Sequence, residues 1–329
     1  MKRFFTVVLI LLDIFVVIGQ PMKAVKDAQT LVSVSIPEVQ AADEVPTACI
    51  GQELLKYLAA VEEGTRGLKN IRLLSPAFNM TNPAEYEIYQ VMKTSPAPGG
   101  GAGIEVFKRI WGFAGNTYSL SGVSAYDWVT KKTNWLGETA GATGKQVIFT
   151  EFGDFDTFGD GKGMGSTNRG EIIDNMRREF KITSADGKVA GINYFNALGG
   201  NPQFIGHKLD NGELSSIVSS NSKKGGVNSG LFIQGGNFQD QANQTGANLG
   251  WTVEIITNPG DLQSAFGSVT KGYANGMQTV LRACVGDSCG FSNPADYVKF
   301  LKDLNALVPG PVYVIAGPNE PATEHWAAP

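Results

Sequence analysis

Eight short apolar runs of β-type composition, several of them separated by amphipathic stretches, predict an α/β fold of the (β/α)8 TIM-barrel class. The length agrees: the chain has 329 residues, and such a barrel takes about 250, leaving room for a leader. A third observation is negative. No glycine-rich phosphate loop sits between a strand and a helix, where an open doubly wound nucleotide-binding sheet would carry it. An open sheet stays as the alternative.

The first segment after the leader, Gln52 to Glu63, spaces Leu54, Leu55, Leu58, Ala59 and Val61 as one face of a helix. The strand-like runs then follow in order: Ile71–Ser75, Ile110–Tyr118, Gln146–Thr150, Val189–Phe195, Leu231–Gln234, Trp251–Ile256, Thr279–Val285 and Val312–Ala316. Ser95 to Gly103, rich in proline and glycine, reads as a loop, and Glu171 to Phe180 as helical. Ser219 to Ser229 is the most linker-like stretch. Pro294 to Leu307 puts Tyr297, Phe300, Leu301 and Leu304 on one helical face.

Composition narrows the function classes. With 42% hydrophobic and 18% charged residues and a net charge of −4, no basic stripe favours nucleic acid. Neutral or mildly polar substrates suit this balance, and no obligatory protein partner is evident. Lys2 and Arg3 precede an apolar run from Phe4 to Gly19 that only Asp13 interrupts. Residues 1–41 therefore read as a signal peptide, with Val39-Gln40-Ala41 offering a cut before Ala42, or as an uncleaved membrane anchor. Either places residues 42–329, the catalytic domain, outside the cytoplasm, secreted or in the cell envelope.

Three cysteines and two histidines make no metal site, and no cofactor is implied. Cys284 and Cys289, in a turn-like stretch, could close a small disulfide, while Cys49 reads as a buried small hydrophobe.

In a barrel, catalytic groups sit where strands end at the C-terminal face. Two of the runs lead into glutamates. Val147 to Thr150 ends at Glu151-Phe152-Gly153, and Val312 to Ala316 passes through Gly317-Pro318 to Asn319-Glu320-Pro321. A carboxylate there is either a helix-capping or rim charge or a reacting group at a desolvated pocket. Two together, each beside a small residue, favour reaction. Aromatic rings near strand ends (Trp111, Phe152, Tyr194, Phe195 and Trp326) fit the C–H faces of sugars, although Trp111 and Phe195 suit core packing better. Phe155 and Phe158 suit a cleft, and His207 and His325 a structural or rim role.

Thr150-Glu151-Phe152-Gly153 and Gly317-Pro318-Asn319-Glu320-Pro321 resemble the signatures of glycoside hydrolase clan A, the retaining (β/α)8 glycosidases, in a family-5-like or family-39-like form. The resemblance implies Glu151 as nucleophile and Glu320 as acid/base. Asn319 would bind the sugar 2-hydroxyl, and Tyr118, in Gly115-Asn116-Thr117-Tyr118, would hydrogen-bond the nucleophile. Asn116 belongs to that matching segment, and Arg282 matches an arginine near the nucleophile. Tyr194, Phe152 and Trp326 would help bind carbohydrate. Glu320 must start protonated, its pKa raised partly by the charge of its neighbour.

One departure carries a consequence. In the clan the acid/base precedes the nucleophile, whereas here Glu151 comes first. The order is restored if the chain is circularly permuted, running through strands 5-6-7-8-1-2-3-4, either naturally or by a join made in gene assembly. The expected activity is double-displacement cleavage of β-glycosidic bonds in a polysaccharide or oligosaccharide, as by an endo-glucanase or mannanase. The alternative is a carbohydrate-binding barrel without turnover.

Overall fold

The structure, a computed structural model, describes residues 46–80, 82–119, 135–154, 169–195, 209, 211–219, 229–232, 249–284 and 290–322. The chain divides into two units, residues 1–44 and 45–329. Everything below concerns the second. The leader, His207, His325, Trp326, Phe155 and Phe158 lie outside the described residues.

The strands are β1 (Ile71–Asn79), β2 (Gly112–Ser119), β3 (Gln146–Asp154), β4 (Val189–Phe195), β5 (Ser229–Phe232), β6 (Trp251–Ile256), β7 (Gln278–Ala283) and β8 (Val312–Ile315). Each pairs in parallel with the next, and β1 pairs with β8 through Ile71↔Val312 to Leu74↔Ile315, closing a barrel. Closure would hold whichever strand came first in the chain. It therefore places the first and last strands side by side, whatever their ancestral order.

The helices among the described residues are α1 (Thr47–Thr65), α2 (Pro83–Thr94), α3 (Gly103–Arg109), α4 (Trp135–Thr143), α5 (Arg169–Ala185), α6 (Asn211–Ser219), α7 (Leu262–Ala274) and α8 (Pro294–Leu307). The α8 bounds equal those read from its periodicity, because each boundary has a local cause. Asn293 caps the first turn by accepting from the Ala295 amide at 2.9 Å, and Pro294 occupies the first helical position. Such a cap contributes about 1 kcal/mol. Tyr297, Phe300, Leu301 and Leu304 are buried, and the Tyr297 hydroxyl donates to the Ile315 carbonyl at 2.9 Å, tying α8 to the last strand.

Alternation along the strands separates two cores. Leu74, Ala114, Ile148, Trp251, Val253, Val280, Tyr313 and Ile315 fill the barrel interior. Leu73, Phe113, Val147, Phe149, Ile192, Leu281 and Val314 face the helices. Phe195 belongs to the inner core, as its packing reading anticipated.

Three expectations need correction or extension. Cys49 is exposed rather than buried, because it lies on the outward side of the first turn of α1. β1 runs on to Asn79, four residues past its expected end at Ser75. Pro76 lacks an amide to donate, and the ladder absorbs it in an irregularity between Leu74 and Ala77. There the Ala114 amide donates to the Ser75 hydroxyl at 3.1 Å instead of a backbone carbonyl. Finally, β5 begins at Ser229, two residues before its expected start.

The tight turn between α2 and α3 needs its glycines: Gly99, Gly100 and Gly101 have φ of 85°, 95° and 79°, where side chains are strained.

Glu254 on β6 alternates with inner-core Val253 and so points to the helix side. Burial pushes its carboxyl up to about 7, with Lys271 pulling the other way. The folded pKa lies above the ordinary 4.5, so the folded state holds its proton longer. Stability is then full below pH 4.5 and declines as pH rises through about 7. Glu254→Gln should remove this decline and raise stability at pH 8 by about 1–3 kcal/mol. Urea unfolding at pH 5 and pH 8 checks it; an unchanged pH dependence in the variant would refute the assignment.

Candidate active site

Glu151 and Glu320 converge on the C-terminal mouth of the barrel, and one residue lies between them. Asn116 of β2 is the strand partner of Glu151 on β3, and its side-chain amide donates to Glu320 Oε1 at 2.8 Å. All three are buried.

A bulge aims Glu151. Gly115 pairs with Phe149, but Asn116 pairs with Glu151, leaving Thr150 as the extra residue; the pairing of β3 with β4 shifts at the same place. Bulges of this kind re-aim a side chain beside an active site. The Glu151 carboxylate forms an ion pair with the Arg282 guanidinium, which projects inward from β7. Both side chains are largely buried, at 7% and 14% exposure. A charge so placed needs its partner, because removing one member of a buried pair strands the other.

The loop after β8 aims Glu320. Gly317 takes φ 137°, and Glu320 itself has φ 45°. Glu320 is the one non-glycine residue with positive φ among those described. That conformation costs roughly 1–3 kcal/mol and persists only when its surroundings over-determine it. The surroundings here are specific. Asn319 bridges Ala77 in parallel, the Glu320 amide donates to the Ala77 carbonyl at 2.7 Å, and the Ala322 amide donates to Glu85 Oε1 at 2.8 Å. Glu85 is fully buried in the first turn of α2. Strain at a residue that faces the barrel mouth points to function.

Both oxygens of Glu320 are held by amides. Asn116 Nδ2 reaches Oε1, and Asn79 Nδ2, from the extended end of β1, donates to Oε2 at 3.2 Å. Asn116 also donates to Asn319 Oδ1 at 2.9 Å and accepts from the Thr150 hydroxyl at 2.8 Å. The Thr150 hydroxyl thereby orients the Asn116 amide, since Oδ1 must face it and Nδ2 must face the two acceptors.

The sequence-derived residues divide cleanly. Glu151, Glu320, Asn319, Arg282 and Asn116 come together at the mouth. Tyr118 is placed by its backbone alone, opposite Gly153. Trp326 lies outside the described residues. Phe152 and Tyr194 are corrections: both are 1% exposed and belong to the helix-side core, in edge contact with each other at 5.3 Å, with Tyr194 also against Phe180 of α5. The bulge at Thr150 turns Glu151 inward and leaves Phe152 outward, so an aromatic next to the glutamate cannot face the same cleft. Trp111 sits at the other end of the barrel, beside the start of β2. Cys284 is disulfide-bonded, and its candidate partner Cys289 lies outside the described residues.

Asn79, Thr150 and Glu85 contribute to the site without having been singled out. Asn79 was hidden by Pro76, which made β1 look shorter. Thr150 was read as the last strand residue before Glu151, with nothing local to mark a bulge. Glu85 acts on a loop 237 positions away, which no local pattern reveals. Among the described residues, no group of histidines, cysteines or carboxylates could hold a metal ion.

No protein-family model matches the chain, and no curated protein is similar enough to count as a relative. The fold is an α/β barrel of parallel strands with helices outside.

Proposed function

We propose that the chain is a retaining glycoside hydrolase on a circularly permuted (β/α)8 barrel, with Glu151 as nucleophile and Glu320 as general acid/base. The observation that carries this reading is the pairing of two buried carboxylates at the C-terminal mouth in different electrostatic settings. Glu151 is ion-paired with the Arg282 guanidinium, and Glu320 accepts from the side-chain amides of Asn116 and Asn79. Two carboxylates with two environments are what glycosidic cleavage needs, one staying ionised and one carrying a proton.

Glu151, held against the Arg282 guanidinium, attacks the anomeric carbon as the glycosidic bond breaks. Glu320 delivers its proton to the departing oxygen, then takes one from the water that hydrolyses the glycosyl-enzyme. The route to a protonated Glu320 differs from simple repulsion by Glu151, because Arg282 offsets that charge. Asn116 is oriented by Thr150 and holds Oε1 as an acceptor. Oε2 is then the oxygen that carries the proton, and taking it up requires the Asn79 carboxamide to turn from its donating orientation in the structure so that its oxygen accepts instead. Asn319 stands beside Glu320 to meet the sugar 2-hydroxyl. β1 to β4 would correspond to the fifth to eighth strands of the unpermuted order, and β5 to β8 to the first to fourth. The leader reading assigns the enzyme to the cell exterior or envelope.

The test is reducing-sugar release from a panel of β-glucans, mannans and xylans, with the anomeric form of the first product followed by NMR. Retained product supports the reading; inverted product, or no release from any substrate, overturns it. A second reading has one observation in its favour. Amide donors on both Glu320 oxygens favour the ionised form, which suits a barrel that binds carbohydrate without cutting it. Saturable polysaccharide binding with no product would identify that case.

A further inference from the structure

The end of the barrel opposite Glu151 and Glu320 holds a cavity of about 310 Å3. Its lining comes from where strands begin: Gln146 and Gln278 open β3 and β7, Trp251 opens β6, Trp111 immediately precedes β2, Tyr313 is second in β8, and Asp186 lies in the turn before β4. The volume is at the low end of the roughly 300–1,000 Å3 of small-molecule sites.

Its chemistry is unlike an ordinary barrel floor. Tyr313 makes edge and tilted contacts with Trp111 and Trp251, at 4.7 and 4.8 Å between ring centres; Tyr313 and Trp251 are buried behind the wall, and Trp111 is the ring left partly exposed at the cavity. Trp251 is 2% exposed, and its indole N–H finds no acceptor among the described residues. A buried donor left unpaired costs about 1–3 kcal/mol, so its retention at a cavity wall calls for an explanation. Among the described residues of the lining Asp186 is the only charged one, and it already accepts from the Lys188 amide at 3.0 Å, with Lys188 Nζ 4.0 Å away.

From this geometry we infer a second, non-catalytic binding site at the N-terminal mouth, for a neutral monosaccharide. Trp111, the partly exposed ring, takes the apolar C–H face of a pyranose ring, and the carboxamides of Gln146 and Gln278 take its hydroxyls. Anionic sugars are disfavoured by Asp186, and no cation is among the described residues that line the cavity. The site lies across the barrel from the two glutamates and does not depend on turnover there.

Saturation-transfer NMR of the full chain with glucose, mannose and xylose, each alone, tests the proposal. At least one sugar should show transfer to its ring C–H protons, saturating with a millimolar Kd. Trp111→Ala and Gln278→Ala should each weaken that binding by about tenfold. Gln278 is partly exposed, so its variant keeps the test open should the tryptophan variant fail to fold. Weakening in Gln278→Ala separates this site from the other mouth, because Gln278 opens β7 at the end of the barrel away from Glu151 and Glu320. Absence of transfer with all three sugars, or insensitivity to Gln278→Ala, would each overturn the proposal.

Discussion

Glu151→Gln should lose turnover on every substrate, by on the order of 10^4-fold or more, while polysaccharide binding changes little. Glutamine keeps the shape and still offers an oxygen to Arg282, but it cannot capture the anomeric carbon. Losses of this size are typical when a nucleophile acting in concert with its neighbours is removed. The measurement is kcat and KM on a soluble oligosaccharide, with thermal unfolding run beside it. Retained kcat refutes the assignment of Glu151. A collapse of folding alone would instead identify Glu151 as structural, the buried counter-charge of Arg282.

Glu320→Ala should separate substrates by leaving group. With an unactivated oligosaccharide, loss of the proton donor should cost about 10^2–10^4-fold. An activated aryl glycoside, whose leaving group departs without help, should still form the glycosyl-enzyme and then stall, because no base activates water. Added azide should restore turnover and yield a glycosyl azide of retained configuration. Equal losses on both substrate types, with no azide rescue, would remove Glu320 from the acid/base role. The same variant relieves the strained φ of 45° only in part, since alanine is also disfavoured there. A Glu320→Gly variant should give the same kinetics with somewhat higher stability.

Asn116 and Glu85 show why the two glutamates need tertiary support. One amide holds both Asn319 and Glu320, and one buried carboxylate anchors the loop two residues beyond. Removing either should disturb the geometry of Glu320 without touching the chemistry of Glu151.

Local patterns in the sequence determined a good deal. The α8 helix was legible to the residue because cap, proline and apolar stripe are all local. β4 and β6 matched their apolar runs end to end, and the position of Glu151 and Glu320 after strand-like runs was enough to place both at one mouth. Periodicity of 2 or 3.6 residues is a property of neighbours in sequence, so it survives reading without a structure.

Tertiary structure decided the rest. β1 looked four residues too short because Pro76 breaks the local pattern, while its tolerance depends on Ser75 meeting Ala114 across the ladder. Phe152 and Tyr194 were read as facing sugar, yet a bulge at Thr150 sends Phe152 to the helix side, where both rings pack. A bulge is defined by its partner strands, which no local pattern contains. Likewise, the ion pair of Glu151 joins residues 131 apart, and the amide clamp on Glu320 joins residues 204 and 241 apart. Residue type and spacing set which groups could react. Closure of the barrel set which of them meet, because only a folded ladder brings distant strand ends within hydrogen-bonding distance.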